Sequence, residues 1–278
     1  MEDNKIKEIV KERYSGTDKR GSSCYPNLPL MEIVKDLKDL KELLDDTDIK
    51  YWVDAGTLIG AVRNGKIIPW DDDVDFGFWG RDWDKVISIA PKLEELGFKV
   101  HLTHLELSDG VVPAGACFVR CGFPIYLTGY TLSDENAIAV EGRPKTKLAL
   151  ILKALCLLCN GRRILAIMPS KAFSEKKSLT RCLKTIGKLL MKTPTEFRRI
   201  VKRMLLNLWL ISGSEIRYMV IPKHFFQKLK KIRFYDMYFL APSDTEGYLE
   251  YRYGENWRVP IRDWEPEESP ALIIPGRE

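Results

Sequence analysis

The chain has 278 residues, of which 45% are hydrophobic and 30% are charged, and its formal net charge at pH 7 is +5. This length and apolar content predict a globular protein with one large domain, or a core carrying a substantial insertion. From the charged N-terminus we expect no signal peptide, and the longest apolar run, Leu148 to Cys159, is shorter than the roughly 20 residues of a membrane-spanning helix. The six cysteines follow no regular framework, so we expect reduced thiols and a cytoplasmic location.

The positive charge is concentrated in one block. From Lys145 to Leu210 the sequence has sixteen Lys or Arg against two Glu, and this excess of fourteen leaves nine net negative charges on the rest. We therefore predict three segments: a catalytic core over 1–144, a basic helical insertion over 145–214, and a C-terminal segment over 215–278 that packs back on the core.

The predicted elements alternate between helices and strands. Residues 31–46 have apolar residues at helical spacing, 50–54 predict a short strand, Gly56 a turn, and 57–65 a brief helix that ends at Gly65. We then expect, in order, a strand at 74–79, a helix at 82–97, and strands at 98–105, 115–122, 123–130 and 136–142. This alternation predicts an α/β fold, a mixed sheet flanked by helices.

The basic block is predicted to be helical, with cationic and apolar faces in segments such as 196–211. Strands return at 216–221, 231–236 and 237–242. The last fifteen residues or so are rich in Pro and Glu and predict an extended tail.

Four aspartates lie within five positions, directly before the strand at 74–79. In an extended strand Asp71, Asp73 and Asp75 would share one face while Asp72 points the other way. Like charges on one face raise each other's pKa unless a cation neutralises them. The pattern therefore predicts a divalent metal site, and carboxylate oxygens favour Mg²⁺ or Mn²⁺.

Two other interpretations of the aspartates are open. An Asp-rich stretch is often a solvated turn or a helix cap. A calcium loop of the EF-hand type would also use the spacing of Asp71, Asp73 and Asp75, but Phe76 stands where that loop needs Gly, and Asp82 where it needs Glu.

A candidate phosphate-binding turn precedes the aspartates. Gly56 and Thr57 follow an apolar strand and open a helix, so their backbone N–H groups and the Thr57 hydroxyl are placed to hold a phosphate. Arg63 lies about two turns further along and Lys66 just beyond it. Together these residues predict a phosphate-handling turn that faces a carboxylate cluster.

The stretch YWVDAGTLIGAVRNGKIIPWDDDVDFG closely resembles the signature of the LicD (fukutin-related) family, roughly Y-W-L-D-x-G-T-L-L-G-A-x-R-x-G-x-x-I-P-W-D-D-D-[IV]-D. A second stretch, YLEYRYGENWRVP at 248–260, is similar to the family's closing pattern. The basic block between them matches no family pattern. The resemblance implies a nucleotidyltransferase-like fold.

The resemblance also implies a function, the metal-dependent transfer of a phospho-substituent such as phosphocholine or an alditol phosphate. The donor would be CDP-linked and the acceptor a hydroxyl of a cell-surface or lipid-linked glycan. Asp73 and Asp75 would be the principal metal ligands, with Asp71 a further ligand or the group that orients the acceptor hydroxyl. Gly56 and Thr57 would contact donor phosphate.

One position departs from the family pattern. Many members carry a further carboxylate on a later strand, and the comparable residue here is Tyr126. Either Asp71 suffices, or another acid such as Glu141 substitutes, or activity is impaired. Two functions therefore remain open besides phosphotransfer: transfer of a nucleotide to a small phosphorylated substrate, and glycan binding without catalysis.

Other motifs favour ordinary structural roles. His101 and His104 have a zinc-ligand spacing but no further predicted ligand, and Cys156 and Cys159 lie in an apolar helix. The basic block predicts attachment to an anionic acceptor or to an anionic membrane surface, which would make the protein peripheral on the inner face of a membrane. Nucleic-acid binding is disfavoured because no recognised module accompanies the charge.

Overall fold

The computed structural model describes residues 30–107, 110–159, 185–190, 192–262 and 264–275. Helices lie at Leu30–Asp45 (α1), Ala55–Asn64 (α2), Trp83–Glu95 (α3), Lys147–Cys159 (α4), Thr195–Ile211 (α5), His224–Gln227 (α6) and Thr245–Tyr253 (α7). Strands lie at Tyr51–Val53 (β1), Val74–Trp79 (β2), Lys99–Leu107 (β3), Gly110–Val119 (β4), Pro124–Leu132 (β5), Asn136–Pro144 (β6), Ser214–Pro222 (β7), Leu229–Phe234 (β8), Met237–Pro242 (β9) and Leu272–Ile273 (β10). The predicted α/β fold class is confirmed.

The described residues contain one mixed sheet of eight strands, with the order β1-β2-β5-β6-β7-β10. Strand β5 is central because it pairs in parallel with β2 along one edge, while β4 and β6 share its other edge. Strand β3 pairs with β4 and so extends the sheet beyond β4. The start of β2 therefore lies beside β5, in the middle of the sheet rather than at its border.

The main core lies on both faces of this sheet. Apolar residues of α1 at helical spacing, Ile33, Leu37, Leu40 and Leu44, are almost completely buried, as the 3.6-residue pattern predicts. On the opposite face Trp52 contacts Tyr130 and Phe226. The ring of Trp52 lies directly against Gly77, where a Cβ atom would collide with the indole. This packing fixes β1 and β2 in register.

The basic insertion leaves and re-enters the sheet at one point. Strands β6 and β7 pair antiparallel along their whole length, up to Pro144 opposite Ser214, so the segment between them begins and ends at adjacent positions. Helices α4 and α5 pack on each other around a smaller second core that includes Leu152, Leu206 and Trp209. This geometry supports the division at 145 and 214, which stays a prediction.

One local expectation was wrong. Gly56 is not in a turn before the helix but inside the first turn of α2, because Asp54 caps that helix and places its start at Ala55. The extended C-terminal residues pack on the sheet, since β10 pairs with β7 and Ala271 is buried. Among the described residues no helix combines the length and the apolarity needed to cross a bilayer.

Candidate active site

The N-terminus of α2 is anchored by a buried polar network around Asp54. Its carboxylate accepts hydrogen bonds from the Ala55 N–H at 2.7 Å, from the Tyr130 hydroxyl at 2.7 Å and from the Tyr248 hydroxyl. It also forms an ion pair with Arg252 at 2.6 Å. A buried carboxylate with this many donors is held in one position, so the network ties α7 to the turn between β1 and α2.

Thr57 connects α2 to the aspartates. Its buried hydroxyl accepts a hydrogen bond from the backbone N–H of Asp75 at 2.8 Å, and the N–H of Asp54 donates to the Asp75 carbonyl at 3.0 Å. Both backbone groups of Asp75 are therefore fixed by the segment that was predicted to bind phosphate. The Thr57 hydroxyl has a structural partner in addition to any contact with substrate.

The carboxylates of Asp71, Asp72 and Asp73 form a cluster in which one oxygen of each lies within 4.8 Å of the others. The expectation that Asp72 points away is wrong, because β2 begins only at Val74 and the preceding residues do not alternate as a strand does. Asp71 lies against Gly56, where a Cβ atom would come to 2.9 Å from its Oδ2 atom. The glycine therefore leaves room for a carboxylate over the first turn of α2.

Asp75 follows the cluster and lies within β2. Its pKa is raised well above the usual range, first by burial and then by the negative charges of Asp73 and Asp54, and Arg252 only partly offsets this. Carboxylate oxygens that converge in this way are the donor set that Mg²⁺ or Mn²⁺ prefers, so these residues fit such an ion. The metal assignment to Asp71, Asp73 and Asp75 stays a prediction, to which the geometry adds Asp72.

Tyr126 occupies the place on β5 directly opposite Asp75 on β2. The same row of the sheet continues to Cys117 on β4 and His101 on β3. Hydrogen bonding connects the Tyr126 hydroxyl to Cys117, and burial raises the pKa of that thiol to about 12. The neighbouring strand thus offers a neutral phenol and thiol to the acidic site instead of a further carboxylate.

Arg63 and Lys66 do not lie with the aspartates. The Arg63 guanidinium donates to the carbonyl oxygens of Trp257 and, at 3.1 Å, of Val259, so it holds the C-terminal segment against α2. Lys66 is exposed at a cavity of about 830 Å³ whose lining also includes Lys230, Arg233 and Tyr235. Arg63, which the sequence predicts to belong to a phosphate-handling turn, thus has a structural role as well.

The remaining sequence candidates have ordinary surroundings. Glu141 pairs with Arg143 on β6 and lies near Lys153 of α4, so it belongs to the insertion side and not to the aspartates. The side chain of His104 is not among those that the structure describes. Cys156 and Cys159 are buried, and burial raises the pKa of each thiol, as expected for packed cysteines.

Sequence reasoning missed the residues that hold the site together, namely Asp54, Tyr130 and Arg252. Asp54 lies between a buried strand and a helix, and Asp is a favoured N-cap residue at such a position. The sequence therefore contained a signal for the capping role of Asp54. The partnership of Asp54 with Arg252 spans 198 residues and has no local signature.

Residues 48–107 match the family model described as LicD/FKTN/FKRP, nucleotidyltransferase domain. The chain is therefore similar to the LicD family over this stretch. An uncharacterized protein of Rickettsia prowazekii is 48% identical over 64 residues, which cover 23% of this chain and 24% of that protein. The LicD resemblance predicted from the aspartate signature is confirmed.

Two vertebrate relatives have described activities. Ribitol 5-phosphate transferase FKRP of Homo sapiens is 48% identical over 40 residues, which cover 14% of this chain and 8% of that protein. Ribitol-5-phosphate transferase FKTN of Mus musculus is 22% identical over 248 residues, which cover 87% of this chain and 37% of that protein. The chain thus spans less than half the length of these relatives.

Solved structures with a similar arrangement include the lincosamide adenylyltransferase LnuA with lincomycin bound, at 21% identity and a TM-score of 0.28, covering 40% of this chain and 64% of that one. The antibiotic-resistance factor ANT(2'')-Ia has 14% identity and a TM-score of 0.29, covering 65% of this chain and 95% of that one.

Proposed function

We propose that this protein is a metal-dependent phosphotransferase of the LicD family. It moves a phospho-substituent, an alditol phosphate or phosphocholine, from a CDP-linked donor to a hydroxyl of a cell-envelope or lipid-linked glycan. The observation that carries the proposal is the carboxylate cluster of Asp71, Asp72 and Asp73, which lies over the first turn of α2 inside the matched domain. The two ribitol-phosphate transferases among the relatives support the class of substituent.

The arrangement assigns different tasks to the residues of the site. Asp71, Asp73 and Asp75 would hold Mg²⁺ or Mn²⁺, which when bound neutralises phosphate oxygens and stabilises the charge that develops on the leaving nucleotide. The first turn of α2, at Gly56 and Thr57, presents the positive end of the helix dipole to donor phosphate. Arg63 and Lys66 stay candidates for contact with the donor, with Lys66 at the cavity that Lys230 and Arg233 also line.

The transfer requires one bond to form and one to break. The acceptor oxygen forms a bond to the phosphorus that carries the substituent, and the bond from that phosphorus to the bridging oxygen breaks. CMP leaves with the bridging oxygen and its electron pair. The proton of the acceptor hydroxyl passes to a carboxylate, and we assign this role to Asp71, which lies against Gly56, when Asp73 and Asp75 are the principal metal ligands.

We also propose that the basic insertion keeps the enzyme near its acceptor. Its positive charge favours an anionic glycan or the anionic face of a membrane, and this attraction weakens with salt. Flotation with anionic vesicles at low and high salt tests the electrostatic part. Equal binding to neutral vesicles would contradict it.

The function is tested by incubating the purified chain and Mg²⁺ with CDP-ribitol, CDP-glycerol or CDP-choline and measuring CMP release. We expect release with at least one donor, and its loss in Asp73→Asn and Asp75→Asn with the fold retained. Asp84→Asn, an exposed aspartate of α3, is the matched control and should stay active. Wild-type rates in Asp73→Asn would overturn the assignment, and pyrophosphate release from CTP would indicate a nucleotidyltransferase instead.

Tyr126 favours a second candidate, a glycan-binding protein without catalysis, because a phenol replaces a carboxylate beside Asp75. The variant Tyr126→Asp separates the two functions. If the wild type is silent for lack of that carboxylate, Tyr126→Asp should bind Mn²⁺ more tightly and gain CMP release. If the wild type is an enzyme, the variant should gain no activity from a site that is already complete.

A further inference from the structure

Helix α5 carries an apolar stripe on its outer face. The stripe consists of five large side chains that are between 48% and 81% exposed: Phe197, Ile200, Met204, Leu208 and Ile211. At 100° per residue these positions fall within an arc of about 80° that runs the length of the helix. Single exposed apolar residues are normal, but an aligned row on a described helix is a surface feature.

The opposite face of α5 explains why the stripe is exposed. Leu206 and Trp209 are buried there in the small core shared with α4, and the Trp209 ring lies directly on Gly142 of β6. Lys202 is also buried on this side. The helix is therefore fixed to the sheet by one face and cannot turn to hide the stripe without losing these contacts.

The charges of α5 lie on both sides of the stripe. By the same helical angles Arg198 lies beyond one border and Arg203 beyond the other, where Glu196 also lies and pairs with Arg199. Without Lys202, which is buried on the opposite face, the helix has three Arg and one Glu, a net charge of +2. An apolar band between cationic borders matches a membrane interface, where acyl chains lie beneath anionic headgroups.

We propose that the stripe of α5 inserts into the interface of an anionic lipid membrane, with the helix parallel to its surface. The proposal goes beyond the electrostatic attachment of the basic block, because it assigns apolar contact to one named face. It does not rest on the phosphotransferase function. A second copy of this chain is a poorer occupant, since pairing two such faces would bring their arginine borders together.

The test is flotation of the full chain with vesicles of phosphatidylglycerol and phosphatidylcholine, beside vesicles of phosphatidylcholine alone. We expect binding to the anionic vesicles, and a loss of at least tenfold in Ile200→Ser/Met204→Ser/Leu208→Ser with an unchanged melting temperature. The matched control replaces three exposed apolar residues elsewhere, Ile87→Ser/Leu96→Ser/Ile261→Ser, and should bind as the wild type. Met204→Trp adds a second readout, because its fluorescence should be quenched by brominated lipid more than that of the wild type.

The contrary outcomes are distinct. Equal binding of wild type and the stripe variant would show attachment by charge alone and overturn the proposal. Absence of binding to either vesicle would overturn it as well, and a higher melting point of the wild type would then indicate that the same chain covers the stripe. Self-association that the stripe variant abolishes, without vesicle binding, would assign the face to a second copy.

Discussion

The carboxylate end of the sheet and the helical insertion differ in which side chains they bury and which they expose to water. At the carboxylate end the chain buries polar groups, with Asp54, Thr57 and Arg252 enclosed among aromatic rings. In the insertion, large apolar side chains such as Ile211 stay exposed on α5. Both arrangements are unfavourable for an isolated chain, since burying charge and exposing apolar surface each raise its free energy. The ion pair of Asp54 with Arg252 offsets the first cost within the chain. The stripe of α5 stays exposed, which is why we assign a lipid surface to it.

The largest expected effect comes from breaking the buried ion pair. Arg252→Met leaves the Asp54 carboxylate buried without its cation, and such a loss destabilises a protein by about 3–5 kcal/mol. The comparable change in the insertion, Arg199→Met, breaks an exposed pair with Glu196 and should alter stability by less than about 1 kcal/mol. Urea unfolding of both variants measures the difference. Equal losses would contradict the distinction between the two regions.

A second comparison of the two regions uses two glycines, each of which lies against a tryptophan ring. Gly77→Ala forces a methyl group into Trp52 at the centre of the sheet, and Gly142→Ala forces one into Trp209 at the base of α5. Overpacking of this kind costs about 1–3 kcal/mol. We expect Gly77→Ala to lower the stability of the whole protein, whereas Gly142→Ala should loosen only α5. Hydrogen exchange resolves the two cases, and global loss of protection in Gly142→Ala would show that the regions unfold as one.

Thr57 gives a smaller effect that bears on its predicted role. Thr57→Val removes the acceptor of the Asp75 N–H, and a buried donor left unsatisfied costs about 1–3 kcal/mol. The control is Thr193→Val, which removes a hydroxyl that bonds the Leu190 carbonyl at a partly buried position. We expect the Thr57 variant to be the less stable of the two in the absence of donor. If its stability is unchanged but its affinity for a CDP-linked donor falls, the hydroxyl serves phosphate and not Asp75.

The sequence predicted those parts of the molecule whose cause is local. The apolar spacing of α1, the Gly65 cap of α2 and the strand at 74–79 follow from neighbouring residues, and all three were found where expected. The closeness of Asp71 and Asp73 was predicted from their spacing, but the inclusion of Asp72 was not, because the start of β2 depends on pairing with β5. The partners of Arg63 in 257–259 were not predicted either, since they are distant in sequence.

Stability should also depend on pH through Asp75. Its folded pKa is raised, so above the ordinary value the folded protein keeps a proton that the unfolded chain has released. In the presence of a chelator, lowering the pH from about 8 toward about 5 should therefore increase the contribution of this group to stability, and raising the pH should remove it. The difference in urea unfolding between wild type and Asp75→Asn isolates the effect. A difference that does not vary with pH would contradict the assigned burial.

The most direct test of the account is a titration of the purified chain with Mn²⁺, followed by electron paramagnetic resonance. We expect one bound ion per chain in the wild type and in the control Asp84→Asn, and at least a tenfold weaker affinity in Asp73→Asn, since removal of a carboxylate ligand removes charge and a bond together. Mn²⁺ binding by Asp73→Asn that equals the wild type would contradict a metal site at the aspartate cluster, and with it the proposed phosphotransferase chemistry.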